Sequence, residues 1–300
     1  MAAGSAVGGG VGVTAEERRQ QRRRSVGDFM GSGDWSDYWS TRISRAEGGR
    51  IWVRGYPLEE IVEKLSYVEA MWLLLRGDLP SKQQAAIWEL TMKVALDQQF
   101  ISSAVCAARF VASAHPESPI PGVAAGILAH GSVTGSPRPA AEMIYGAYEL
   151  MEREGLSREE AAARTVDRYL RERGTVPGFG HPIHKDTEPR AEILRRKVKE
   201  LDGWGEKAQL FEAIHAALCG RLGRALPINL AGMVAAVYCE LGFDPIEVEA
   251  LAAIGYGYAV IAHVVEEIRE GVSLRIIPDA LGAKYTGPPE RHLPERGKGA

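Results

Sequence analysis

The chain has 300 residues, 45% of them apolar and 25% charged, with a net charge of −3. That length and balance suit a soluble globular protein with ample core for one large or two modest domains, and the charge argues against general nucleic-acid binding. No apolar run approaches the ~20 uncharged residues of a membrane span; the longest, Leu251 to Val265, contains His263. In chain order, the Gly/Ala/Val-rich start and the cluster Glu16 to Arg24 read as a mobile arm over 1–42, with charge and apolar residues in the wrong order for a secretory signal. A hairpin is predicted from Ile43 to Tyr56, turning at Gly48-Gly49. Ser66-x-x-Glu69 and Ser81-x-x-Gln84 are capping boxes, with Gly77 closing the helix between them.

From Ala104 to Ile127 the residues are small and apolar, as in closely packed helices. Composition shifts near Arg138 to charged helices and returns near Leu241. The division read from this is a large helical domain, 43–137 plus 242–300, and a small one, 138–241. Ser157-x-x-Glu160 opens a helix ending at Gly174, and Asp244-Pro-Ile-Glu247 opens a long one reaching about Gly271. Cys106, Cys219 and Cys239 stand alone in apolar helical segments; they read as buried thiols of a reduced, cytoplasmic protein.

The most informative stretch is Thr175-Val-Pro-Gly-Phe-Gly-His-Pro-Ile-His-Lys-Asp-Thr-Glu-Pro-Arg190. Gly178 and Gly180 permit backbone angles that a Cβ forbids, and Pro177 and Pro182 stiffen the bend around His181. Thr187 reads as the N-cap of a helix opened by Glu188, Pro189 and Arg190. A histidine so placed can pass a proton, and an arginine beside it can clamp a carboxylate. Solvation alone also explains a loop histidine. His181-x-x-His184 lacks further ligands at suggestive spacing, so no metal is assigned.

The chain resembles the citrate synthase superfamily, particularly its citryl-CoA lyase branch, from about Gly49 to Gly287. The residues that carry the resemblance are Arg54-Gly-Tyr-Pro-Leu-Glu-Glu60 and Leu73-Leu-Leu-Arg-Gly-Asp-Leu-Pro80, then Pro177-Gly-Phe-Gly-His181 through Glu188-Pro-Arg190. Ile261-Ala-His263 and Lys284-Tyr-Thr-Gly287 follow. The resemblance implies an all-α, citrate-synthase-like fold of two helical domains with a short N-terminal β-hairpin, a cleft site and a homodimer. It implies His181 as acid/base, Arg190 as carboxylate-binding, and Lys185 as a basic residue toward coenzyme A. Arg275 stands in a stretch partly like the family's CoA-phosphate segment, and Lys284 in the last motif; both are assigned to the cofactor. Gln99 lies near the place of an oxaloacetate-contacting histidine and is assigned to the substrate.

The chain also departs from the family. Thr134 stands at the first catalytic histidine, Ala231 at the catalytic aspartate, and Tyr256 at a carboxylate-binding arginine. His130, at the end of an apolar helix, reads as structural. Ordinary citrate synthesis is therefore not expected, since a positioned acid or base is worth ~10²–10⁴-fold in rate.

The expected function is a citryl-CoA-lyase type of reaction, making or breaking a C–C bond between an acetyl-CoA unit and a 2-oxo acid such as oxaloacetate. His181 would be the acid/base, Thr134 would face the thioester oxygen, and Tyr256 is the leading candidate to protonate the enolate. The expected partners are a small carboxylic acid and a CoA thioester, with no metal, nucleic acid or membrane. The alternative is a homologue that binds a CoA ester or an organic acid without turning it over, having lost the catalytic aspartate at Ala231.

Overall fold

The computed structural model describes residues 24–97, 99–131, 135–181 and 184–293. Within the expected arm, Ser25 and Asp28 form a capping box that starts α1, Val26–Ser32. Phe29 on α1 packs against Trp35 and Tyr38. The rest of the arm, 1–23, lies outside the described residues.

The hairpin forms where the sequence predicts it. Strands β1, Ser44–Glu47, and β2, Arg50–Val53, pair antiparallel with Glu47 opposite Arg50. Gly48 and Gly49 both have positive φ, 56° and 75°, as a tight two-residue turn requires. A third strand, β3, Tyr56–Pro57, pairs with β2.

All else of length is helical: α2 Leu58–Lys64, α3 Tyr67–Arg76, α4 Lys82–Val94, α5 Ser103–Ser113, α6 Ile120–Leu128, α7 Arg138–Glu154 and α8 Arg158–Arg173 come first. They are followed by α9 Pro189–Glu200, α10 Glu206–Leu222, α11 Leu230–Glu240, α12 Pro245–Gly255 and α13 Gly257–Glu270, with a 3-10 turn at Asp279–Leu281. The boxes at Ser66, Ser81, Ser157 and Asp244 all close, and Gly77 and Gly174 end their helices in the left-handed conformation.

Four sequence readings are corrected. The cap of α9 is Glu188 rather than Thr187: the Glu188 side chain folds inward and accepts the Arg190 backbone N–H, while Thr187 stays exposed. The long helix predicted to reach Gly271 is two, α12 and α13, joined at Tyr256. Glycines on both sides, Gly255 and Gly257, weaken the helix there, and the Tyr256 ring turns into the interior. Taken end to end, Pro245–Glu270 is long and apolar enough to cross a membrane, contrary to the count of uncharged residues. In the fold its Val248, Leu251, Val260 and Val264 are buried against neighbouring helices. Finally, only Cys239 is a buried thiol; Cys219 is half-buried, and Cys106 is exposed because α5 turns Ala104, Val105 and Ala108 inward instead.

One cluster of buried side chains joins residues of α3, α4 and α7–α12, with Trp72, Trp88 and Phe243 packed ring against ring. A second, smaller cluster joins α5, α6 and α13 through Ala108, Ala112, Val260 and Val264. The small residues read from 104–127 explain this second packing. A Cβ added at Gly122 would come within 3.0 Å of Val264, and one at Gly126 would press on Val260.

Candidate active site

The bend 176–181 is pinned onto the start of α11. Asn229 donates its backbone N–H to Gly178 O at 3.1 Å, Gly180 donates to Pro227 O at 2.8 Å, and Phe179 bridges Ile228. The Asn229 side chain serves both segments: Oδ1 caps α11 by accepting from Gly232 N at 2.8 Å, and Nδ2 donates to Gly180 O at 3.0 Å. Gly178 and Gly180 have φ of 92° and 80°, and a Cβ at Gly232 would run into the Gly178 backbone, while one at Gly178 would come within 3.1 Å of the Gly232 Cα. Glycine is required here by conformation and by space together. The aromatic faces of Phe179 and Phe211 stack beneath the bend, 4.9 Å apart.

His181, at the end of this bend, is half-buried. Burial pushes its pKa below the ordinary value, His184 pushes the same way, and the nearby Glu188 carboxylate opposes; Arg190 and Lys185 add to the lowering. His181 Nδ1 accepts the His184 backbone N–H at 3.0 Å. A neutral ring bonded in this way carries its proton on Nε2, so in this arrangement it is a donor there.

Lys185 is exposed, and its Nζ donates to the carbonyl of His181 at 3.3 Å. Arg190 is held by Glu188, Nε to Oε1 at 3.0 Å, and by the Asp97 carbonyl, Nη1 to O at 3.3 Å. Asp97 in turn pairs with His263, Oδ1 to Nε2 at 3.2 Å. Gln99 sits two residues beyond Asp97, exposed, with a left-handed φ of 72°. His181 thus closes the bend, Lys185 bonds back to its carbonyl, and Arg190, in the first turn of α9, reaches the loop that carries Gln99.

The remaining assigned residues stand elsewhere. Tyr256 is 7% exposed and lines a small cavity of about 10 Å³ together with Ala231, Gly135 and Leu251. That volume is near the least that admits one water. Its ring stacks on His130, 5.5 Å between centroids and 8° between planes. Thr134 lies outside the described residues. Arg275 is bound through Nε and Nη2 to the buried Glu267 carboxylate, which Arg109 also grips. Lys284 lies in the exposed segment after the 3-10 turn. Among the described residues no three His, Cys, Asp or Glu side chains cluster as metal ligands.

Sequence reading missed three features. Glu188 is 1% exposed inside the bend, yet its place before Pro-Arg signalled only a helix start. The Asp97–His263 pair joins residues 166 apart, which no local pattern reveals. His130 has a buried Nε2 without a hydrogen-bond partner among the described residues, and burial lowers its pKa. Its position at the end of an apolar helix was the only hint.

The family model "Citrate synthase, C-terminal domain" matches this chain over 37–116 and 89–277. Among solved structures, citryl-CoA lyase from Hydrogenobacter thermophilus is similar with a TM-score of 0.78 and 31% identity, over 86% of this chain and 98% of that one. ATP citrate lyase from Methanosaeta concilii, solved with (3S)-citryl-CoA, shares the fold with a TM-score of 0.68 and 19% identity, over 89% of this chain and 45% of that one. Curated relatives include citrate synthase of Dictyostelium discoideum, 38% identical over 58 residues, 17% of this chain and 11% of that protein. Peroxisomal citrate synthase 1 of Arabidopsis thaliana is 48% identical over 52 residues, again 17% of this chain and 11% of that protein. The chain thus spans about a tenth of the length of the curated relatives it matches.

Proposed function

This chain belongs to the citrate synthase family, and from that premise we propose that it makes or breaks a C–C bond between an acetyl-CoA unit and a 2-oxo acid, in the manner of a citryl-CoA lyase. The observation that carries the reading is the bend that ties the segment ending at His181 to the start of α11, with Lys185 bonded to the His181 carbonyl and Arg190 held by Glu188 in the first turn of α9. The similarity to a citryl-CoA lyase over nearly that protein's whole length supports it.

Arg190 binds the carboxylate of the 2-oxo acid, and His181 works on the oxygen next to it. In the joining direction, Nε2–H donates to the carbonyl oxygen as it becomes a hydroxyl. In the cleaving direction the same Nε2 must accept the hydroxyl proton, so the ring has to carry its own proton on Nδ1 instead, and the His184 N–H that Nδ1 now accepts has to move away. Lys185 supplies a point charge for a CoA phosphate. Thr134, outside the described residues, is the proposed partner of the thioester oxygen, where enolate charge develops. Tyr256, which lines the cavity with Ala231, is the proposed proton donor to the enolate; a phenol is a weak acid at neutral pH but adequate toward a carbanion.

A second reading is favoured by Ala231. Its methyl lines a cavity with room for about one water, with no carboxylate at that position to move a proton. A homologue that binds a CoA ester without turnover fits that observation. The exposed apolar side chains Ile120, Leu128, Ile254 and Ile261, on α6, α12 and α13, support a homodimer. Three free thiols suit a reducing, cytoplasmic setting.

The test is release of acetyl-CoA from citryl-CoA, followed with the wild type and His181→Ala. The enzyme reading expects turnover in the wild type, loss of ~10²–10⁴-fold in the variant, and unchanged CoA binding. Thioester binding without turnover in the wild type selects the second reading. Turnover undiminished in His181→Ala removes His181 from the mechanism.

A further inference from the structure

Glu188 is 1% exposed and stands at the N-cap of α9. Its Oε1 accepts from Arg190 twice, from the backbone N–H at 3.2 Å and from Nε at 3.0 Å. Its Oε2 is equally buried and has no hydrogen-bond partner among the described residues. A helix cap needs only a short polar side chain, and Ser, Thr, Asp or Asn provides it without a second buried oxygen. An unsatisfied buried carboxylate oxygen is a standing cost that capping does not explain.

The surrounding charges suggest what offsets that cost. The bend and the first turn of α9 bring His184, Lys185 and Arg190 around His181, and Glu188 is the carboxylate that opposes them electrostatically. The segment 227–232 packed against the bend carries no charged residue, and Asp97 with His263 lies on the far side of Arg190. Of the guanidinium donors of Arg190, Nε–H is committed to Glu188 and one Nη1–H to the Asp97 carbonyl. The Nη2 hydrogens and the second Nη1–H are left as the fork for an incoming carboxylate.

We infer that Glu188 is the positioning carboxylate of this site: it fixes which edge of Arg190 meets the acid ligand, and its charge acts on the His181 imidazole. This rests on the proposed function for the identity of the ligand. The link between Glu188 and His181 does not depend on turnover.

The test uses the full chain, with citrate as the carboxylate probe and the His181 ring followed by NMR through a pH titration. Glu188→Gln keeps the side-chain length and removes the charge; Glu188→Asp keeps the charge and shortens the arm. In Glu188→Gln the His181 titration is expected to move to lower pH than in the wild type, and citrate affinity to fall about tenfold. In Glu188→Asp the titration stays near that of the wild type. A purely structural cap would disturb both variants alike or neither, and either result overturns the inference. If Glu188→Gln does not fold, Arg190→Lys interrogates the same link, because lysine keeps the charge but has no Nε–H for Glu188. Citrate affinity should then fall about tenfold, and wild-type affinity overturns the inference. A wild type that binds no citrate while its His181 still responds to Glu188→Gln refutes the assignment of the acid ligand and leaves the Glu188–His181 link standing.

Discussion

Gly232→Ala probes the contact on which the bend depends. A Cβ at this position would lie 2.6 Å from the Gly178 Cα and 2.8 Å from its carbonyl carbon, with the Gly178 oxygen closer still. These are backbone atoms, so no side chain can swing aside. Ordinary carbon–carbon contact is ~3.5 Å, so the bend and α11 must separate by roughly 0.8 Å. Overpacking of this kind costs about 1–3 kcal/mol, or about 2–10 °C in Tm for a chain of this size. The Asn229 bonds to Gly178 and Gly180 would stretch with it, carrying His181 away from its position. A displacement approaching 1 Å costs up to ~10²-fold in rate, so under the proposed function turnover of citryl-CoA should fall ~10–100-fold. Gly220→Ala is the control: it lies in α10 with nothing within 4 Å of an added Cβ. It should leave Tm unchanged or raise it, since alanine favours a helix by ~0.5–1 kcal/mol. Calorimetry of both variants, with NMR of the His181 ring, decides the matter. If Gly232→Ala melts with the wild type and leaves the His181 resonances in place, the bend is not held as described.

Two further outcomes are expected. Glu267 has no exposed side-chain surface; burial pushes its carboxyl up, but the hydrogen bonds from Arg275 and Arg109 outweigh that and hold it below the usual range. Glu267→Gln, which leaves Arg275 without its anion and Arg109 with Glu266 alone, should destabilise by about 1–3 kcal/mol in urea unfolding, and no measurable loss would contradict the network. His130 and His181 are both held below their ordinary value of 6.5, chiefly by burial. The unfolded chain therefore takes up protons first, so stability is full above pH 6.5 and declines as pH falls toward the lowered values. Replacing both histidines with Gln should flatten that part of the profile; a slope identical to the wild type's refutes the assignment.

Much of the architecture is legible locally. Capping boxes and glycine stops work through side chains three residues apart, so Ser66, Ser81, Ser157 and Asp244 mark helix starts before any tertiary contact exists. The Gly48-Gly49 turn is equally self-contained. The glycines around His181 point to an unusual bend because only they tolerate its angles. The chain's own residues thus determined its helices, its hairpin and the unusual bend that leads to His181. Only the tertiary structure decided that Tyr256 breaks the last long helix, that Glu188 turns inward to hold Arg190, and that Asp97 meets His263 across 166 residues. Those outcomes depend on which surfaces are buried against which, and burial is a property of the packed whole that spacing along the chain does not encode.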